Sequence, residues 1–217
     1  MIGIFASLAR YGRRSLRPVL VRFGAGTSGS ITVETLLILP VVAWGFMAAL
    51  TFTDAFRHQT ILQKSVYTAG DLVSRSSGTV VDADFIAGIY TLMQRMNDTP
   101  ATVAMRMSLI GWDDDVGELR VVWSNADHAG GLGRLDDAQL NLAYAAQVPT
   151  ITQGETLLLT EGWMDYAPMF QIGLSRRTMT EVALTRPRFA PGIPYDDPDA
   201  PPPPTAWCEF IIDGCGM

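Results

Sequence analysis

Residues 29–54 read GSITVETLLILPVVAWGFMAALTFTD, and the organisation of the chain turns on this stretch. Between Ser30 and Asp54 lie 23 residues with one charge among them, Glu34. As an α-helix that length is about 35 Å, against about 30 Å for the hydrocarbon core of a bilayer. The spacing predicts a transmembrane helix over 30–53. A carboxylate in such a helix costs free energy unless it reaches the interface, takes a proton or finds a partner. Glu34 is expected in the first helical turn, where it helps to satisfy the free backbone N–H groups. Pro40 removes an intrahelical hydrogen bond; it is read either as a tolerated membrane proline or as a bend that shapes packing between copies. Gly45 and Ala49 form a small pair four residues apart that lets a second helix come close.

The residues on either side set the expected direction. Before Gly29 the only charges are Arg10, Arg13, Arg14, Arg17 and Arg22, so this leader carries +5. Residues 30–217 hold the other 11 basic groups and all 22 acids, and so carry -11. An acidic body argues against a nucleic-acid partner. Arginines beside an apolar helix hold it instead at an anionic cytoplasmic membrane face, which sends the C-terminal part across the lipid bilayer. Two plainer readings compete. A cleaved secretory signal fits the basic start, but the apolar run exceeds the usual h-region of about 7–15 residues and no small-x-small site closes it. An unprocessed signal anchor is the other.

A basic leader, a Gly, four residues, a Glu and then an apolar helix resemble the prepilin junction of type IV pilins. More closely, the pattern G-x-x-x-V-E-x-x-x-x-x-P, here Gly29, Val33, Glu34 and Pro40, is similar to that of the TadE/TadG-like proteins, the pilin-like accessory proteins of tight-adherence (Flp-type) pilus systems. The resemblance covers roughly residues 22–60. It implies cleavage between Gly29 and Ser30 by a prepilin peptidase, with Glu34 as the acidic residue of the mature N-terminus. The new α-ammonium group of one copy then pairs with Glu34 of a neighbour and fixes axial register. It further implies the major pilin, other TadE/TadG-like proteins and the inner-membrane pilus platform as partners. The location implied is a single pass of the inner membrane, N-terminus cytoplasmic and C-terminal domain periplasmic, with entry into the pilus left open. Tyr166-Ala167-Pro168 corresponds to a Tyr-x-Pro element of that family.

The rest of the chain reads as an α+β domain, with an antiparallel sheet packed on helices. Residues 1–29 are the leader, 30–53 the membrane helix, 54–186 a stalk helix and extracytoplasmic domain, and 187–217 a Pro-rich tail. In the stalk, Phe56, Leu62, Val66, Ala69, Leu72 and Val73 form one apolar stripe, stopped by Ser74, Ser76, Ser77 and Gly78. Asp82 or Asp84 caps a second helix to about Met96, with Phe85, Ile86, Ile89, Leu92, Met93 and Met96 recurring at helical spacing. Strands follow at about 102–110, with Val103, Met105, Met107 and Leu109 on one face, and at 118–124, with Leu119, Val121 and Trp123 on one face. A turn at Asp113–Gly117 joins them; it lacks the register of a calcium loop. Gly130-Gly131-Leu132-Gly133 lacks the Lys and spacing of a phosphate loop and is read as a flexible linker. A short helix over 136–146 and strands near 156–163 and 175–185 complete the domain. The aromatic groups of Met164–Phe170 either cover the end of the sheet or, through Tyr166 and Pro168, contact another protein.

Cys208 and Cys215 are the only cysteines. In an oxidising compartment they are expected to close a disulfide loop that pins the tail, with a buried or free thiol pair as the alternative. No zinc site is formed by two cysteines without a nearby histidine. His58 is expected on the exposed stalk and His128 in a loop, and neither falls in a catalytic motif. The sequence therefore calls for no enzyme activity, no metal and no cofactor. It points to a minor pilin or pseudopilin-like component in the assembly of a tight-adherence pilus. The alternative is a signal-anchored periplasmic binding or scaffold protein of the cell envelope.

Overall fold

The first described element, α1 (Ser30–Ser74), is a helix of 45 residues that contains Pro40. The structure is a computed structural model and describes residues 30–76, 80–97 and 103–196. The chain divides into two units between Leu50 and Thr51. In the first unit α1 is apolar all round, and every residue from Ile31 to Phe46 is exposed. The helix is long and apolar enough to cross a membrane. Ser30 is the first described residue of α1 and no acid stands in the turn that follows it; Glu34 is the fifth.

In the second unit α1 becomes striped. Ala55, Leu62, Val66, Ala69 and Val73 are buried at steps of seven, four, three and four, which is one helical face. Phe56 and Leu72, expected in that stripe, point outward instead. Each lies one position from a buried residue, about 100° around the helix. The smaller Ala55 takes the inner position. After Ser74, the Ser76 N–H and hydroxyl both donate to Val73 O, at 3.0 and 2.6 Å, and end the helix. Ser77 and Gly78 lie outside the described residues. Helix α2 (Ala83–Asn97) starts at Asp82, whose carboxylate accepts from Phe85 N at 2.8 Å. Asp84 lies within its first turn. Ile86, Ile89, Met93 and Asn97 are its buried positions, while Phe85 and Leu92 face out.

Strands β1 (Val103–Asp113), β2 (Glu118–Asn125), β3 (Thr156–Tyr166) and β4 (Arg177–Thr185) form one antiparallel sheet in the order β2-β1-β3-β4. β1 and β2 close through a tight turn in which Gly117 takes φ 74°, a value that glycine adopts without strain. β2 and β3 lie on either side of β1, so their connection has to cross it. That connection carries α3 (Asp137–Ala143), capped by Asp136, over one face. One face of the sheet packs Val103, Met105, Met107, Leu109, Leu158, Met164 and Met179 on the stripe of α1 and on α2. The other packs Ile110, Leu119, Leu157 and Leu159 under Leu135, Leu140 and Ile151.

The face expected for β2 needs a correction. Leu109 pairs with Trp123 and Ile110 with Val121, so Val122 is an extra residue. This bulge turns Trp123 to the helix side and leaves Leu119 and Val121 on the other. The segment after β4, expected as the start of the Pro-rich tail, belongs to the core as far as Tyr195. Ile193 is buried, Trp123 Nε1 donates to its carbonyl at 2.7 Å, and Tyr195 bridges Val81. The Gly130–Gly133 segment is a fitted turn. Gly130 and Gly131 have positive φ, and a Cβ on Gly130 would stand 3.1 Å from Ala104 Cβ.

α1 reaches β3 at a glycine. A Cβ on Gly162 would collide with Val66 Cγ2 and stand 2.7 Å from Met93 Cε. Gly162→Ala is expected to destabilise the fold by about 1–3 kcal/mol. For a chain of this size that lowers Tm by about 2–4 °C per kcal/mol. Adding Val66→Ala should recover part of the loss, because the colliding methyl is gone. Thermal melts of the two single variants and the double variant measure this; full additivity would mean that the two residues do not meet.

Candidate functional site

Of the residues picked out in the sequence, four lie together on the first unit. Glu34, Pro40, Gly45 and Ala49 are all exposed, and no atom comes within 4 Å of a Cβ built on Gly45. An apolar cylinder that no described residue covers is a surface for lipid or for other helices. Ser30 is the first described residue of the helix. The Gly29 side of the junction, the arginine leader, and Cys208 and Cys215 lie outside the described residues.

The second group surrounds Asp54, the residue that ends the apolar run. Tyr166 O–H donates to Asp54 Oδ2 at 3.0 Å. His58 Nε2 lies 3.4 Å from Asp54 Oδ1, and its ring sits 5.5 Å from that of Tyr166. Tyr166 is 4% exposed. Tyr166 is the last residue of β3, and its ring lies against α1 beside Asp54 and His58. What the segment after it presents outward is Met169, 79% exposed. His58 is half-buried in this contact rather than exposed on the stalk. Burial, and then the hydrogen bond and charge of Asp54, push the Tyr166 hydroxyl up to about 12 against an opposing pull from Arg177.

The third group was not found from the sequence. Arg106 on β1 and Glu161 on β3 are cross-strand partners, both buried. Arg106 Nε donates to Glu161 Oε2 at 2.6 Å and Nη2 to Oε1 at 2.9 Å, a bidentate pair. Arg106 Nη1 donates to Gly133 O at 2.9 Å, and Tyr144 O–H donates to Glu161 Oε1. The guanidinium also lies over the Trp163 ring at 5.5 Å. Burial works against the charge on Arg106, but Glu161 outweighs it and raises the guanidinium above its ordinary value. Burial and Glu161 push the Tyr144 hydroxyl up to about 12. The signal was present as single charges inside apolar strands, Met105-Arg106-Met107 and Thr160-Glu161-Gly162, each on the face opposite the helix. These groups spend their bonds on one another and on the β2–β3 connection. Among the described residues no three His, Cys, Asp or Glu side chains are grouped to hold a metal ion. His128 stacks on Tyr90 with ring centroids 4.1 Å apart.

Comparison with known protein families, with curated proteins and with solved structures finds no match.

Tyr144 and Tyr166 hold their protons in the folded chain where an unfolded tyrosine, near pH 10, gives its proton up. Their contribution to stability is complete below about pH 10 and is lost as pH rises towards 12. Tyr144→Phe removes a hydrogen bond to a charged group, expected to cost about 1.5–3 kcal/mol at neutral pH. It should also flatten the alkaline decline. Urea unfolding of the full chain at steps from neutral to strongly alkaline pH reads both effects; an unchanged decline in Tyr144→Phe and in Tyr166→Phe alike would count against the assignment.

Proposed function

We propose that this chain is a pilin-like membrane component, a minor pilin or pseudopilin, that takes part in assembly of a tight-adherence type pilus. The observation that carries the reading is the first unit of α1: a continuous apolar helix, exposed from Ile31 to Phe46, with Glu34 as its one charge before Asp54. Such a helix is stored in the bilayer, with its arginine leader on the cytoplasmic side and the sheet domain across the membrane. A prepilin peptidase removes the leader after Gly29. The helix then packs laterally on the major pilin or on other TadE/TadG-like subunits at the pilus platform. Gly45 and Ala49 allow close approach, and Glu34 meets the α-ammonium group of a neighbour. The sheet domain contributes contact surface and no chemistry.

Mass spectrometry of the protein isolated from membranes, with and without the peptidase, tests the first step. The expected mature N-terminus is Ser30 with the peptidase and an intact leader without it. An intact leader in both returns the chain to the signal-anchored scaffold of the cell envelope. Glu34→Gln should be inserted and processed as the parent is, yet fail to support pilus assembly. Normal piliation by that variant would remove the ion pair from the mechanism.

A further inference from the structure

The loop between β3 and β4, residues 167–176, reads Ala-Pro-Met-Phe-Gln-Ile-Gly-Leu-Ser-Arg, and Arg177 follows. It has no acid, its only charge is Arg176, and Arg177 opens β4 directly after it. Met169 is among the most exposed apolar side chains of the second unit, and Phe170 and Ile172 are half-exposed. Leu174 packs on the core and anchors the loop's far side. Apolar side chains followed by adjacent basic ones form the composition of an interfacial membrane contact.

The position of the loop matters as much as its composition. A Cβ on Gly173 would stand 3.9 Å from Phe52 Cζ. Tyr166, the residue before the loop, reaches Asp54 and Thr51 O. The loop therefore lies level with residues 51–54, where the apolar run of α1 ends. Phe52 and Phe56 are one turn apart on α1 and both exposed, at 41% and 68%. Two acids stand at this end: Asp54, which accepts from Tyr166 and lies beside His58, and the exposed Asp165, which accepts from the Thr178 hydroxyl at 2.8 Å. The opposite end of the sheet carries Asp113, Asp114, Asp115 and Glu118, the wrong sign for an anionic surface.

We propose that this end of the domain is a second membrane contact. Phe52, Phe56, Met169 and Phe170 enter the headgroup boundary, and Arg176 and Arg177 face lipid phosphates. The inference rests on the reading of α1 as a membrane-crossing helix and adds to it a lipid-facing side of the folded domain. The partner is a lipid surface with anionic headgroups. Residues 51–54 are the last of the apolar run and belong to the second unit, so side chains packed at their level lie beside lipid whenever those residues do, while a soluble partner would have to displace that lipid.

The test is photo-crosslinking of the full chain reconstituted in vesicles of phosphatidylcholine, alone and mixed with anionic phosphatidylglycerol. Benzoylphenylalanine is placed singly at Phe46, Met169 or Val116. Lipid adducts are expected at positions 46 and 169 and not at 116, the exposed hairpin at the far end. In mixed vesicles the yield at 169 should fall about fivefold for each arginine removed in R176Q and R177Q, with the yield at 46 unchanged. Adducts at 46 without adducts at 169 would overturn the second contact and leave the membrane helix standing. Crosslinks from 169 to another copy of the chain would also overturn it, in favour of a protein partner. No lipid adduct at 46 would overturn the membrane reading itself, and the contact with it.

Discussion

The distance at which Val66 approaches β3 governs the domain. Gly162 presents only hydrogen where any other residue would place a carbon against that methyl. Gly70, one turn further along the helix, does the reciprocal: a Cβ there would stand 2.9 Å from Thr185 Oγ1 and 3.2 Å from Thr160 Oγ1. One glycine in the strand and one in the helix thus let α1 settle across β3 and β4. Glycine inside a helix or strand costs roughly 0.5–1 kcal/mol relative to alanine. The close contact offsets that cost, because dispersion falls away over fractions of an ångström. Met93, Met105, Met107 and Met164 fill the space around the contact, a use that suits an unbranched and adaptable side chain.

The two faces of β3 solve opposite problems. Leu158, Thr160, Gly162, Met164 and Tyr166 form the side that has to let a helix approach. Leu157, Leu159, Glu161 and Trp163 form the side that holds the crossing connection. A buried bidentate ion pair contributes little net stability, and apolar residues of the same volume often serve as well. What Arg106 and Glu161 supply is register. A slip of one residue between β1 and β3 would carry a charge to the methionine side, where nothing answers it. Through Gly133 O and Tyr144 the same pair ties down both ends of the turn-and-helix segment above it.

Local patterns were legible in the sequence. The alternation Val103, Met105, Met107, Leu109 reads directly as a buried strand face, and Leu62, Val66, Ala69 and Val73 as a helix stripe. The cap at Asp82 was one of two candidates, and it is the one three residues before Phe85. What could not be read depends on partners distant in sequence. The bulge at Val122 carries no glycine or proline to mark it, and it reverses the side that Trp123 takes. Arg106 and Glu161 are 55 residues apart, and each alone resembles an exposed charge. Phe56 looks like core by composition, yet the inner position goes to Ala55. For the candidate site the division is similar. Composition reveals an apolar helix with one acid, and among the described residues nothing covers it from Ile31 to Phe46.

Under the proposed reading, the placing of Glu34 carries a geometric consequence. An acid within a membrane helix costs up to about 2.5–3.5 kcal/mol at mid-depth and less near the end. A unit charge pair at about 4 Å is worth about 4 kcal/mol at an effective dielectric of about 20, enough to outweigh it. The α-ammonium of the same helix is one turn away, so pairing within a copy competes with pairing between copies. The proposed reading takes the pairing between copies, in which a neighbour's carboxylate answers the ammonium. To bring the two together, adjacent helices have to be offset by four residues, about 6 Å along their axes. An offset repeated in one direction uses different surfaces on each side of a subunit and cannot close on itself in a flat ring. It climbs, and an interface of that kind generates a filament.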